Sequence, residues 1–280
     1  MEDLLAVLVL YNMPLAKSAT FLSINASLKK STQSLQMVVY DNTPVCNADF
    51  EEGQSYSIDN ISITYIPDEN NSGVSRAYNV ANNIALQTGK KWLLLLDQDT
   101  DFPEHTIPAY ANAISSYPEG VLFAPIMVVN HHTIISPCKF RYMRGFSLDH
   151  ISPGIHNLKN LSVINCGMCI STLAFKKNKG YNEGIKLDFS DHDFIKRFHN
   201  TVTDSFIVID LQVTHELSTE KKNTTGADLI RFNYYLQGMR NMSASVGERF
   251  ILNLNAFIRA LKLSVIHVNL NFILKLFTGK

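Results

Sequence analysis

Charge of one sign is what this 280-residue chain lacks most plainly: 25 lysines and arginines face 25 aspartates and glutamates. A protein that neutralises many phosphates carries a basic excess, so nothing global points to nucleic acid. Cysteine is scarce, and four in this length make no disulfide framework. Cys166 and Cys169 form a C-x-x-C, yet no second pair and no His-x-x-x-His completes a zinc site. The expectation is two small buried residues in a reducing cytosol. No apolar run reaches the roughly 18 residues that span a bilayer. Met1-Glu2-Asp3 is acidic where a secretory signal is basic. These absences predict a cytoplasmic body. Repeats and low-complexity tracts are missing too, and with 46% hydrophobic residues general disorder is excluded.

What is present centres on Trp92-Leu93-Leu94-Leu95-Leu96-Asp97-Gln98-Asp99. An apolar run bounded by polar residues reads as a buried parallel strand. Ligands of open α/β sheets bind beyond the carboxyl ends of strands. Two acids there make a hard-oxygen site suited to Mg²⁺ or Mn²⁺, with a substrate phosphate sharing the ion. Strands are expected at 4–11, 35–40, 61–66, 91–96 and 121–129, with helices at 15–30, 74–87 and 105–115 between them. That alternation marks βαβ units and a parallel sheet. Later, a short strand is expected at 162–165 and a short helix at 171–177. An amphipathic helix at 186–199, a strand at 206–213, a polar stretch at 218–226 and a helix at 227–245 follow.

Four features then fall at the ends of successive elements: Asp41; Asn71-Ser72-Gly73; Asp97 with Asp99; and Asp188, Asp191 and Asp193. Strand ends of a parallel sheet share one edge, so these features converge. Together they resemble the family 2 glycosyltransferases of the GT-A fold, and the bacterial rhamnosyltransferase-like members that build surface polysaccharides in particular. The matching residues are Val38-Val39-Tyr40-Asp41-Asn42; Asn71, Gly73, Ala77 and Asn79; Leu94-Leu95-Leu96-Asp97-Gln98-Asp99-Thr100; Asp188, Asp191-His192-Asp193-Phe194 and Arg197; and His215-Glu216-Leu217. They lie within residues 4–240. Ser190 stands where many members carry Glu.

The resemblance implies an α/β domain over 1–245, a single Rossmann-like, mostly parallel sheet flanked by helices, with a helical appendage at 246–280. It implies an inverting, metal-dependent hexosyltransferase that moves a sugar from a nucleoside diphosphate sugar to a hydroxyl of a growing, lipid-linked surface glycan. Rhamnose is the sugar the subgroup suggests; galactose, glucose and N-acetylhexosamines stay open. The cofactor is Mn²⁺ or Mg²⁺. Asp97 and Asp99 would hold it, with His215 as an additional ligand. Asp191 would be the catalytic base. Tyr11, Asp41, Asn71, Gly73, Asn79, Asp97 and Arg240 would bind the nucleotide sugar.

Each assignment has a plainer rival. Asp41 suits a strand-end Asx turn, Asn71 and Gly73 a tight turn with a helix cap. Asp188 and Asp193 suit a helix N-terminus, His215 a capping role, Arg240 a salt bridge. Gln237-Gly238-Met239-Arg240 is similar to the Q-x-x-R-Trp motif of processive synthases, but Asn241 replaces Trp, which disfavours processive synthesis. A nucleotidyltransferase would share an Asp-rich metal site, yet Tyr11-Asn12-Met13-Pro14 holds none of the glycine its phosphate loop needs. A non-catalytic nucleotide-sugar scaffold would have no need of Asp97, Asp99 and Asp191 together.

The tail from Arg249 to Lys280 has no acidic residue and is rich in Phe, Leu and Ile. On a helical wheel Asn255, Arg259, Lys262 and Asn269 fall opposite Asn253, Ser264, Asn271 and Lys275, so no single amphipathic face emerges. The expectation is peripheral contact with the inner face of the cell membrane. A hairpin packed on the domain, or on a second subunit of a homo-oligomer, is the rival.

Overall fold

The computed structural model describes residues 2–45, 50–51, 54–130, 132–215 and 224–278. In chain order the first half runs β1 (Leu4–Leu10), a 3-10 turn (Leu15–Lys17), α1 (Ala19–Ser31), β2 (Leu35–Asp41), β3 (Ser55–Ile58), β4 (Ile61–Pro67), α2 (Val74–Gln87), β5 (Trp92–Asp97), β6 (Thr100–Asp101), α3 (Thr106–Ser116) and β7 (Leu122–Val129). The second half runs β8 (Thr133–Arg141), β9 (Arg144–Leu148), β10 (Gly154–Asn157), β11 (Leu161–Ser162), β12 (Cys169–Ser171), α4 (Thr172–Lys177), α5 (Ser190–Thr201), β13 (Ser205–His215), α6 (Thr225–Asn241), α7 (Val246–His267) and α8 (Asn271–Thr278).

One sheet carries the order β10-β13-β7-β12-β5-β1-β2-β4-β3. Its centre, β5-β1-β2-β4, is parallel, as is the β7–β13 pair, while β12 enters antiparallel between β5 and β7. Side chains alternate across this sheet. Leu5, Val7, Val9, Leu93 and Leu95 join one core layer, and Leu4, Ala6, Leu8, Leu94 and Leu96 the other. All four leucines of β5 are fully buried. Each contributes about 1.5–3 kcal/mol of hydrophobic stabilisation. The chain leaves β1 towards β2 on one side and reaches β5 on the other. That reversal of strand order opens a crevice at the carboxyl edge. Leu10 pairs with Asp41 and Val9 with Asp97, so both acids stand at its lip.

Several boundaries shift for local reasons. α1 starts at Ala19 rather than Leu15 because Ser18 caps it, accepting from Phe21 N–H at 3.2 Å. α5 starts at Ser190 rather than 186, because the preceding backbone is bonded to α2. Lys186 O accepts from Val74 N–H at 3.0 Å, and Ile185 O accepts from Ser75 Oγ at 2.5 Å. The expected helix at 227–245 ends at Asn241, and Ser245 caps a new one with a capping box to Glu248. The strand expected at 162–165 shrinks to β11, and β3, β6, β8, β9, β10 and β12 add to the expected set, β3 and β9 through hairpins with β4 and β8. Most of the polar stretch, 218–223, lies outside the described residues, as do Glu216 and Leu217.

Cys166 and Cys169 are both buried free thiols, as expected. α7 corrects the view of the tail. It is 22 residues long and, by length and composition alone, apolar enough to cross a membrane, because its few polar residues interrupt every run without lowering the average. It packs with α6 and α8 around Phe232, Leu236, Met239, Leu252 and Phe272 in a third core cluster.

Candidate active site

The D-Q-D-T segment leaves β5 and is held from both sides. Ser18 Oγ donates to Gln98 O at 2.8 Å, and Thr20 Oγ1 donates to Thr100 O at 2.9 Å. Thr100 N–H returns a bond to Thr20 Oγ1 at 3.0 Å. The Gln98 amide clasps the Tyr11 backbone, accepting from its N–H at 2.8 Å and donating to its carbonyl at 3.3 Å. Half-exposed Tyr11 is thereby fixed at the end of β1, beside the two acids.

Asp97 accepts from Tyr78 Oη at 2.9 Å. Its carboxyl is pushed up to about 6, first by burial and then by the charge of Asp99; Asp191 adds to the rise. His215 reaches the same place through strand pairing: β6 lies antiparallel to the end of β13, with His215 opposite Thr100. Its Nδ1 is 2.9 Å from Thr100 Oγ1 and 3.6 Å from Asp99 Oδ1. Two carboxylates and an imidazole are the donors that Mn²⁺ or Mg²⁺ takes, and a divalent cation would relieve the like-charge repulsion at Asp97. Among the described residues, no group of three or more His, Cys, Asp or Glu side chains forms a ready-made metal site. A cation here would therefore draw further ligands from its substrate.

The second acidic segment enters from the other side. Phe189, the residue before α5, sits at φ 75°, a left-handed conformation that is costly for an aromatic residue, and its ring lies 5.0 Å from that of Tyr235. That reversal separates Asp188 from Asp191 in the first turn of α5. Asp191 accepts from His192 N–H at 2.7 Å, and its charge acts on Asp97, Tyr181 and Cys138. Asp188 is raised chiefly by burial, against the pull of Arg259 and Arg231, and its Oδ2 is buried without a hydrogen bond. Asp193 is spent on structure: it accepts from Arg197 Nε at 2.8 Å and Ser243 N–H at 2.9 Å.

The remaining predicted residues are placed as follows. Asp41 is buried and accepts from Thr43 N–H at 3.0 Å, an Asx turn, and from Tyr65 Oη at 2.7 Å. Asn71 adopts φ 47° in the turn before α2. Gly73 sits at φ 93°, where an added Cβ would meet Lys186 O at 2.3 Å, so the backbone that approaches it is the chain's own. Asn79 bonds the 181–183 segment, accepting from Tyr181 N–H at 2.8 Å and donating to Glu183 Oε1 at 2.9 Å. Arg240 lines a cleft of about 500 Å³ with residues of α6, α7 and α8.

Two neighbouring residues, Asn165 and Cys166, join the halves, where the sequence marks Cys166 as a buried thiol and gives Asn165 no role. Cys166 Sγ accepts from Asp97 N–H at 3.3 Å and donates to Thr100 Oγ1 at 3.2 Å. Asn165 accepts from Tyr181 Oη at 2.7 Å and donates to Ser190 Oγ at 3.1 Å. The signal for Asn165 is a polar break in an apolar stretch.

No protein-family model matches this sequence, and no curated protein does so. Solved structures do match in fold. S. aureus TarS 1–349 in complex with UDP-GlcNAc is 14% identical at a TM-score of 0.51, over 90% of this chain and 70% of that one. The same fragment in complex with UDP gives 15% and 0.51 over 90% and 70%. GalNAc-T7 with UDP, GalNAc and Mn²⁺ gives 10% and 0.54 over 97% of this chain and 56% of that one. These are GT-A glycosyltransferases, and what this chain shares with them is the fold: a largely parallel central sheet flanked by helices.

Proposed function

We propose that this chain is a glycosyltransferase that takes one sugar from a nucleoside diphosphate donor and places it, with inversion, on a hydroxyl of a growing glycan. One observation carries the reading. Asp97 and Asp99 leave the end of β5 where the pairing of β6 with β13 brings His215, and the charge of Asp191 from the first turn of α5 acts on Asp97, so a candidate base and a candidate metal centre border one place. The fold supports it, since structures that share it hold UDP, UDP-GlcNAc and Mn²⁺.

Asp97 and Asp99 would hold the divalent cation, with the His215 ring, whose Nδ1 is 3.6 Å from Asp99 Oδ1, as a further ligand. A bound Mn²⁺ or Mg²⁺ offsets the charge that builds on the departing diphosphate. Asp191 takes the proton of the acceptor hydroxyl as that oxygen bonds to the anomeric carbon. The bond from that carbon to the diphosphate oxygen breaks, and its electron pair leaves with the nucleotide. Tyr11, whose backbone Gln98 clasps, would pack on the donor. Asp41 and the Asn71–Gly73 turn would border the nucleotide through backbone more than side chain, because their polar groups are engaged within the chain.

A thermal-shift panel of nucleotide sugars with and without Mn²⁺, run beside a transfer assay, tests this. The true donor should raise Tm in the presence of metal, since binding stabilises as the logarithm of ligand over Kd. Asp99→Asn should remove the metal-dependent shift and the transfer while keeping the unliganded Tm. Full activity of Asp99→Asn, or no donor that stabilises the wild type, overturns the reading.

A further inference from the structure

Helix α7 is apolar on the side that faces away from the protein. It buries one stripe, Leu252, Ala256, Ala260 and Ser264, at i, i+4 spacing. The outer side presents Phe250, Leu254, Phe257, Ile258, Leu261 and Val265, between 41% and 79% exposed. α8 extends the surface with Leu274 and Phe277. A helix packed on a soluble domain carries polar residues on that side, and contiguous apolar exposure of this extent marks an interaction surface.

The acids that touch α7 are already paired, Glu248 with Lys196, Asp188 with Arg259 and Asp228 with His267, which leaves the outer side basic. No acidic residue occurs from Arg249 to Lys280, and Lys262 lies on the exposed side. The tip of the β8–β9 hairpin borders the helix, where Asn255 Nδ2 donates to Tyr142 O at 2.9 Å. There Arg141 lies over the Tyr142 ring at 5.8 Å and Arg144 over the Phe146 ring at 5.5 Å, and both rings are exposed. Aromatic, basic and aliphatic groups in one surface suit the headgroup boundary of a bilayer.

We propose that α7, α8 and this hairpin tip form a docking surface for a membrane rich in anionic lipid, with α7 lying in the plane of the interface. Charge decides the occupant. A two-fold pairing of this face with a second copy would set the same basic residues against one another. Anionic headgroups would complement them, at roughly 1 kcal/mol, or fivefold in binding, per basic residue. The inner side rules against a spanning helix. Arg249 Nη2 donates to Met242 O at 2.7 Å, and Arg259 lies 4.2 Å over the Tyr235 ring and 3.9 Å from Asp188. Insertion would break these contacts, whereas docking keeps them and seats the surface on the helix that braces the acidic turn before α5.

The test is co-sedimentation of the full chain with phosphatidylcholine vesicles, with and without phosphatidylglycerol; no sugar donor is needed. Binding to the anionic vesicles should be tight and should weaken with salt. Ile258→Glu with Val265→Glu should weaken it roughly hundredfold, with circular dichroism and Tm unchanged because both sites are exposed. Lys262→Glu, a milder change, should weaken anionic binding at least fivefold and leave neutral vesicles unaffected. No sedimentation with either vesicle overturns the proposal. So does binding that neither variant alters, or a dimer in light scattering that the double variant splits while vesicles go unbound.

Discussion

Asn165 Nδ2 donates to Ser190 Oγ at 3.1 Å, and this bond ties the segment under Asp97 to the first turn of α5. The neighbouring Cys166 bonds Asp97 N–H. Two consecutive small residues thus set the spacing between the acids proposed to bind metal and the proposed base.

Asn165→Ala should therefore cost activity out of proportion to its size. It leaves Tyr181 Oη and Ser190 Oγ with a lost partner in a buried setting, at about 1–3 kcal/mol. Thermal unfolding should show that loss. Turnover should fall at least tenfold, since small misplacement of reacting groups is expensive. Wild-type turnover with only a lowered Tm would show that the brace serves the fold alone.

Asp191→Asn is nearly isosteric but cannot take a proton. Turnover should drop by roughly 10²–10⁴, while donor affinity, read by titration, stays close to wild type. Asp193→Asn is the contrast. Its carboxylate pairs with Arg197 in a buried place, so its loss should appear as instability of about 3 kcal/mol. If Asp193→Asn folds normally and loses more turnover than Asp191→Asn, the base is misassigned.

The contact of α7 with α5 should depend on pH. Burial pushes the Glu248 carboxyl up, but the Lys196 ammonium and the Ser245 hydrogen bonds outweigh it, and the net shift is down. A lowered acid adds stability that is present above its ordinary value and disappears as pH falls through the lowered one. Glu248→Gln should thus cost about 1 kcal/mol at neutral pH. The gap from wild type should close below the carboxylate range. Denaturant unfolding at a series of pH values measures it, and a gap that persists in acid would sink the assignment.

Gly73→Ala should be among the most damaging small substitutions. The residue sits at φ 93°, and the new methyl would meet the Lys186 carbonyl at 2.3 Å. Backbone must move, so a loss of about 2–4 kcal/mol is expected in equilibrium unfolding. A loss below 1 kcal/mol would mean the 185–186 segment yields easily. Gly238→Ala offers a second reading, because its Cβ would meet Asp188 O at 2.4 Å.

The chain by itself determined the parallel strands, the acids at their ends and the order in which those acids occur. Each of these follows from local pattern: buried strands such as β5 need continuous apolar runs, and strand ends of a parallel sheet share an edge. Only the tertiary structure decided which acids are engaged within the chain, as Asp193 is, and which are left as candidates for the proposed chemistry. Asp193 and Asp191 look alike in sequence, yet Asp193 is buried and paired with Arg197 while Asp191 accepts from the neighbouring His192 N–H, because α5 turns one side inward. Strands β8 and β9 are not legible locally because β9 is largely exposed and β8 alternates buried and open positions, so neither carries the continuous apolar run of a buried strand. The tail shows the same limit. Its composition was legible, but a wheel of polar positions could not say which side packs. Docking on α6 buries the stripe of small residues and leaves the large apolar ones outside.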